Sequence, residues 1–374
     1  EWSRRYFDAE KNPRLDPERV FVASENGEVR ASATALPMEV FVDGTPAPMG
    51  GIAAVMTDPA YRRRGYARKL IEGSLREMRG SGMHLSMLDP FSHAFYRASG
   101  WETACAYILY KLSAAKLPTS DEQRHIRSYR KDDAPAVRRI FEEKAARHQM
   151  CVRRCEGRWR QMLEADGDEY ARDNEAVVFE ADGAGVEGYI MYKIASREVS
   201  EGPSRLLNVR ELIGLTRRAR EGLLSFLASF DPEEFEVSIH APRGEPLHPY
   251  LRDSYVKAEV HPGLMLRIVD VEGALGHFKR EVPEPFVLEV ADDVIPENEG
   301  EYTVGDGEVR RGSHTTKHRI RLDERQLSQL YSGYLSARSL AEHGLVVADS
   351  DEALELLSAY FPSADPWIFP VDHF

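Results

Sequence analysis

The stretch DPAYRRRGYARKLIEG, residues 58–73, sets Arg62, Arg63 and Arg64 directly before Gly65 and the start of a helical pattern. A loop that leaves a buried strand and enters a helix turns unpaired backbone N–H groups, and the positive end of the helix dipole, toward one point. That arrangement suits a pyrophosphate. Gly65 permits a tight turn and close approach, Ala67 keeps the wall low, and Arg62 and Arg63 add charge around the phosphates. Neither the Walker nor the dinucleotide glycine pattern is present, so nucleoside triphosphates and dinucleotides are poor competitors.

Such a loop needs a strand before it and an amphipathic helix after it. Residues 19–57 alternate apolar and polar side chains around two hairpin signals, Asn26-Gly27 and Asp43-Gly44, which predicts antiparallel strands. Past Gly65, the positions Ala67, Leu70, Ile71, Leu75 and Met78 recur at helical spacing and predict one face packed on that sheet. HLSMLDP reads as a short buried strand, and HAFYRASGWETACAYILYKL as a brief helix, a turn and a final strand. A polar linker at 112–124 separates this block from a second, about 125–268, in which a similar order of strands and helices recurs and suggests duplication. A third block, 269–374, mixes strands such as PFVLEVAD with helices such as DEALELLSAYF, an α+β pattern. The tail PSADPWIFPVDHF carries Trp367, Phe369 and Phe374 and is expected to dock, because exposed aromatics cost hydrophobic free energy.

Length and composition narrow the function. A chain of 374 residues calls for two or three domains. Its net charge of -13 disfavours nucleic acid and favours a cationic small molecule. No run of about 18 apolar residues exists to span a membrane, and no signal-peptide pattern opens the chain, which begins at Glu1; a trimmed, cytoplasmic protein is expected. The odd cysteine count, Cys105, Cys151 and Cys155, argues for reduced thiols. His148, Cys151 and Cys155 have helical spacing, but a fourth ligand is not evident and arginines crowd the stretch, so no metal is expected.

The spacing Arg62-x-x-Gly65-x-Ala67, after GIAAVMTDPAY and before an amphipathic helix, resembles the acyl-CoA pyrophosphate signature of the GNAT acetyltransferases. With SMLDPFSHAFYRASGWE and the ending DHF, the chain resembles the enhanced-intracellular-survival family of multi-acetylating aminoglycoside acetyltransferases. The resemblance implies an α/β (α+β) chain: a cofactor-binding, catalytic GNAT domain at 1–118, a second GNAT-like mixed-sheet domain at 125–268, and a sterol-carrier-like domain at 269–374, assembled as a homohexamer. Family members begin with a further strand and helix, for which residues 1–18 are too short.

Carried over by position, acetyl-CoA contacts would be Val55, Met56 and Thr57 on the strand, Arg62, Arg63, Arg64, Gly65, Tyr66, Ala67 and Arg68 in the loop and first turn, and Phe91 and Ser92 beyond the next strand. Val55 N–H would polarise the thioester carbonyl. Tyr96 matches the family's general acid, and the terminal carboxylate of Phe374 its general base, with His93 a rival base and Asp372 and His373 beside the acceptor. Where aminoglycoside-modifying members carry an acidic residue beside the terminal phenylalanine, this chain has His373. The expected acceptor is a cationic amine: an aminoglycoside, a polyamine or a lysine side chain. In the second block Arg217 takes the place of the signature arginine but Arg220 that of the glycine, so no coenzyme A is expected there. A carrier protein with a vestigial cofactor site is the rival reading.

Overall fold

A computed structural model describes residues 6–163, 175–197, 202–312 and 316–374. Strands β1 (Val20–Glu25), β2 (Glu28–Val42) and β3 (Thr45–Thr57) form an antiparallel meander. Both expected hairpins are present: φ is 55° and 80° at Asn26 and Gly27, and 47° and 74° at Asp43 and Gly44. Positive φ at both central positions matches the twist of the flanking strands. Helix α1 (Tyr66–Gly80) buries Leu70, Ile71, Leu75 and Met78. It returns the chain to β4 (Leu85–Leu88), parallel to β3. Helix α2 (His93–Arg97), β5 (Glu102–Thr103) and β6 (Ala106–Ser113) follow.

The next stretch contains β7 (Ile126–Ser128), α3 (Ala134–Ala145), β8 (Val152–Arg153), α4 (Glu156–Leu163), β9 (Glu175–Ala181), β10 (Gly185–Ser196) and β11 (Arg205–Gly214). It continues through α5 (Arg217–Ala228), β12 (Phe235–Pro242), β13 (Lys257–Pro262) and β14 (Met265–Ile268).

Two strands sit where sequence order does not put them. The first sheet runs β1-β2-β3-β4-β14-β5, with β8 also on β2, and the second runs β13-β6-β12-β11-β10-β9-β7. The strand ILYKL therefore does not close the first sheet, as its position suggests; β6 joins the second and β14 takes a place in the first. The crossing segments touch at Cys105 and Gly263, where Gly263 N–H donates to Cys105 O at 2.9 Å. A Cβ on Gly263 would lie 2.5 Å from Cys105 Sγ, so the crossing requires glycine. The linker is also more ordered than its composition suggests. Residues 114–116 and 121–125 form short 3-10 turns, and Ser120 N–H donates to Ser225 Oγ on α5 at 3.0 Å.

The third sheet, in the order β17-β16-β15-β18-β19, is built from β15 (Phe286–Ala291), β16 (Gly300–Gly305), β17 (Glu308–Arg311), β18 (Arg319–Asp323) and β19 (Val347–Ala348). Helices α6 (Val271–Leu275), α7 (Glu324–Ser332), α8 (Ala337–Glu342) and α9 (Asp351–Tyr360) accompany it. Phe286, Tyr302, Tyr331 and Tyr360 share one continuous core with Val40, Met49 and Leu266, so the first and third units close on each other. The tail docks as expected: Trp367 and Phe369 are buried among Phe141, Trp159 and Ile213.

Candidate active site

Strand β3 carries the first part of the site. Its ladder to β2 slips between Ser32 and Thr34, so that Met56 faces Ser32 while Ala53 faces Thr34. Within this bulge Ala54 takes φ 49°, a left-handed conformation that costs a residue with a Cβ roughly 1–2 kcal/mol. Bulges bend and twist a strand. On the other edge, pairing with β4 stops at Ile52 and Leu88. The backbone of Val55, Met56 and Thr57 thus runs on without a strand partner on that edge, ready to pair with an extended amide-bearing ligand.

The arginine loop follows. Asp58 Oδ1 accepts Ala60 N–H at 3.0 Å and begins a short 3-10 turn. Arg63 and Gly65 both have positive φ, 62° and 81°. Gly65 caps α1 with no side chain, and a Cβ built there meets nothing within 4 Å. The first N–H groups of α1, on Tyr66, Ala67 and Arg68, therefore face open space with the helix dipole behind them. Arg62, Arg63 and Arg68 are exposed and have no ion-pair partner among the described residues. Arg64 is turned away, 3.5 Å from Glu25 and stacked on Tyr61, and the Tyr66 hydroxyl donates to Glu25 at 3.1 Å. These two residues offer their backbone only. The donor set, the open approach and the uncommitted guanidiniums fit a diphosphate.

Tyr96 lies on α2, whose start Ser92 caps by accepting Phe95 N–H at 3.4 Å. The Tyr96 ring is buried, with Phe91, Phe95 and Trp101 around it. Its hydroxyl has no hydrogen-bond partner among the described residues. Burial, and then the charge of Asp89, push its pKa above the ordinary phenol value, so it keeps its proton. Phe91 is 68% exposed and open to a ligand. His93 Nε2 is buried without a hydrogen-bond partner among the described residues.

The tail arrives from the opposite side. Arg14 donates to the carbonyls of Asp372 and His373 at 3.2 and 3.4 Å, and Arg158 donates to that of Val371. Burial, and then repulsion from Arg14, bring the Arg158 guanidinium down to about 10. Arg154 Nε donates to both oxygens of Asp372 at 2.9 and 3.0 Å, while its Nη groups hold Glu211. The Arg154, Glu211 and Asp372 side chains are 0%, 0% and 1% exposed. Burial opposes the Arg154 charge, but Asp372 and then Glu211 outweigh it and push its pKa up. Its guanidinium also lies 3.7 Å over the Phe141 ring. Phe374 rests on β3, since a Cβ on Gly51 would come within 2.7 Å of its ring. His373 Nδ1 lies 3.2 Å from Asp89 Oδ2, and Asp89 also acts on Tyr96. The end of the chain and the tyrosine thus share one carboxylate neighbour. A cavity of about 740 Å³, lined in part by Arg14, Met38, Arg158 and Asp372, opens beside this tail.

The second unit has the same elements in a different state. The parallel pairing of β11 and β12 ends at Val209 and Ile239, but the cleft beyond is lined by Glu211, His240, Trp367 and Phe369, with only about 40 Å³ left. Thr216 Oγ1 caps α5 by accepting Ala219 N–H at 3.2 Å. A Cβ on the preceding Gly214 would lie 2.8 Å from Arg220 N. Arg217 and Arg218 are paired with Glu221 and Glu122.

Ala54, Asp89 and the tail-holding arginines escaped sequence reasoning. Asp89 stood in plain view in SMLDPF, directly after a buried strand. The Arg154 cluster looked like a crowd of surface arginines, and nothing in the alternation of residues 45–57 marks the bulge.

Fold and loop together define an acyl-transfer scaffold. Acetyltransferase (GNAT) domain models match residues 2–104 and 150–268, and a sterol carrier protein domain model matches 271–369. An uncharacterised N-acetyltransferase of Streptomyces avermitilis is 26% identical over 341 residues, covering 87% of this chain and 82% of the relative. A GCN5-related N-acetyltransferase from Anabaena variabilis superposes with a TM-score of 0.83 at 23% identity, covering 97% of this chain and 91% of the other. Eis1 from Mycobacterium abscessus does so at 0.78 and 23%, covering 96% and 92%. The chain is a GNAT acyltransferase with two GNAT domains and a sterol-carrier-like third domain, and its GNAT domains imply use of acetyl-CoA.

Proposed function

We propose that the first GNAT domain binds acetyl-CoA through residues 62–68 and passes the acetyl group directly to a primary amine. The pantetheine arm pairs with the free edge of Val55, Met56 and Thr57, between that strand and Phe91 and Ser92. Val55 N–H polarises the thioester carbonyl as negative charge develops on its oxygen. Tyr96 is the general acid: still protonated at neutral pH, it hydrogen-bonds the departing sulfur and yields its proton only as negative charge develops there. The terminal carboxylate of Phe374 has an ordinary pKa of about 3.5, so it works by position, drawing in and orienting the ammonium and receiving or relaying its proton. The acceptor meets the thioester between Tyr96 and the end of the chain. Its class is a cationic amine, an aminoglycoside, polyamine or lysine side chain, and the working form is a cytoplasmic homohexamer.

The observation that carries this reading is the contrast between two sister helices: α1 is uncapped, open and fronted by free arginines, whereas α5 is capped, crowded and fronted by paired ones. Calorimetric titration with acetyl-CoA tests it. One equivalent per chain is expected; none, or two, would count against it. Extending the chain by a short tag past Phe374 turns the carboxylate into an amide, and thiol release with an amine panel should then collapse.

A further inference from the structure

The tail brings a second proton-accepting group to the site besides the carboxylate. His373 is the penultimate residue, and its Nδ1 is 3.2 Å from Asp89 Oδ2. Its carbonyl is held by Arg14, so backbone and ring are both anchored. With Nδ1–H donated to the carboxylate, Nε2 is the nitrogen that carries the lone pair. Asp89 sits on the loop between β4 and α2 and is also the charged neighbour of Tyr96. Besides Asp89, Arg14 at its carbonyl and the adjacent Phe374 carboxylate, His373 has His240 on β12 as a titratable neighbour. Burial first, and then His373 and Arg210, bring His240 down to about 4, so it stays neutral and adds no second positive charge when His373 takes a proton.

We infer that His373 Nε2 accepts the proton of the acceptor ammonium, with Asp89 as the positioning residue that fixes its tautomer and faces the imidazolium. The inference rests on the proposed acetyl transfer and divides the labour at its basic end. The Phe374 carboxylate attracts the cation; His373 removes its proton. The freed nitrogen lone pair attacks the thioester carbon, the C–S bond breaks as the thiolate takes the Tyr96 proton, and the second proton on the acylated nitrogen is lost to water to leave a neutral amide. The imidazolium then returns its proton to solvent, and the tyrosinate regains one from water. An imidazole suits the first step better than a carboxylate, because general bases work best when their pKa lies near the operating pH.

The test has an arm that needs no turnover. In the full chain labelled with 15N-histidine, with His373 assigned by comparison with His373→Gln, the neutral ring should show the Nδ1–H tautomer, and Asp89→Asn should erode it. A neutral Nε2–H ring would overturn the inference. In the kinetic arm, with acetyl-CoA and either spermidine or kanamycin, His373→Gln should lower kcat on the order of 10²-fold. The amine KM should stay within roughly threefold. Added imidazole should restore part of the rate lost in His373→Ala. A His373→Gln enzyme at the wild-type rate, or a loss that imidazole leaves untouched, would sink the assignment. Failure of the underlying acetyl-transfer reading shows separately, as absence of acetyl-CoA binding in calorimetry.

Discussion

Arg154 should be the residue on which tail placement turns. Its guanidinium is 0% exposed, between Glu211 and Asp372 at 0% and 1%. Arg154→Met keeps the bulk over Phe141 but leaves two carboxylates buried without a counter-charge. Breaking a buried pair from one side typically costs about 3–5 kcal/mol, which is on the order of 10²- to 10⁴-fold in the equilibrium between docked and released tail. The tail relieves this by leaving, since Asp372 belongs to it and Glu211 does not. Protease sensitivity of the C-terminal residues should therefore rise, and kcat fall at least roughly tenfold, while acetyl-CoA affinity stays put. A buried carboxylate that has lost its partner takes up a proton more readily, so the variant recovers as pH falls, with the docked form binding the additional proton. The triple variant Arg154→Met, Glu211→Met, Asp372→Leu should regain most of the docking, because replacing a whole buried ionic cluster by apolar residues of similar volume is often tolerated. Equal tail protection and kcat in wild type and Arg154→Met at neutral pH would refute the reasoning.

Three further outcomes follow from the same geometry. Tyr96→Phe should lower kcat on the order of 10²-fold with acetyl-CoA binding unchanged in calorimetry; an unaltered rate of thiol release rejects the donor role. The double variant Arg62→Ala, Arg63→Ala should weaken acetyl-CoA binding about tenfold, and the difference should shrink as ionic strength rises; a salt-independent affinity would place the diphosphate elsewhere. Because His240 is held at about 4, below its ordinary 6.5, the unfolded chain takes up that proton first on acidification. The stability tied to neutral His240 is thus present above 6.5 and lost as pH falls through the folded value of about 4. His240→Phe should flatten that part of a plot of denaturation midpoint against pH.

What was readable in the chain was local. Asn26-Gly27 and Asp43-Gly44 specify turns by conformational demand alone, and the spacing of Leu70, Ile71, Leu75 and Met78 reports a buried helical face whatever it packs on. The arginine loop was legible because glycine, charge and helix start stand within a few residues of one another. Partners distant in sequence were not legible. An alternating pattern says that residues 106–113 form a strand but not which sheet accepts them, and β6 and β14 exchange sheets at a crossing where Gly263 meets Cys105, 158 positions apart. The bulge at Ala54 has no compositional mark, since alanine is neither suited to nor typical of a left-handed backbone. Arg154 and Glu211, separated by 57 positions, become a pair only through the fold.

The two GNAT domains differ in what occupies the end of the splayed strand pair. In the second domain a splayed strand pair still ends at Val209 and Ile239, but Trp367, Phe369 and Pro370 line the cleft beyond it, and Glu211 on its wall reaches Arg154 and, through it, Asp372. A groove shaped for an extended chain needs little change to receive a peptide in place of a pantetheine arm, because both supply amides along their length. Capping α5 with Thr216 and pairing Arg217 and Arg218 removes the anion site that would otherwise compete. The second domain thus holds the tail where His373 meets Asp89 and Phe374 lies on β3, and on the proposed mechanism its contribution to acyl transfer is the position of two residues it does not contain.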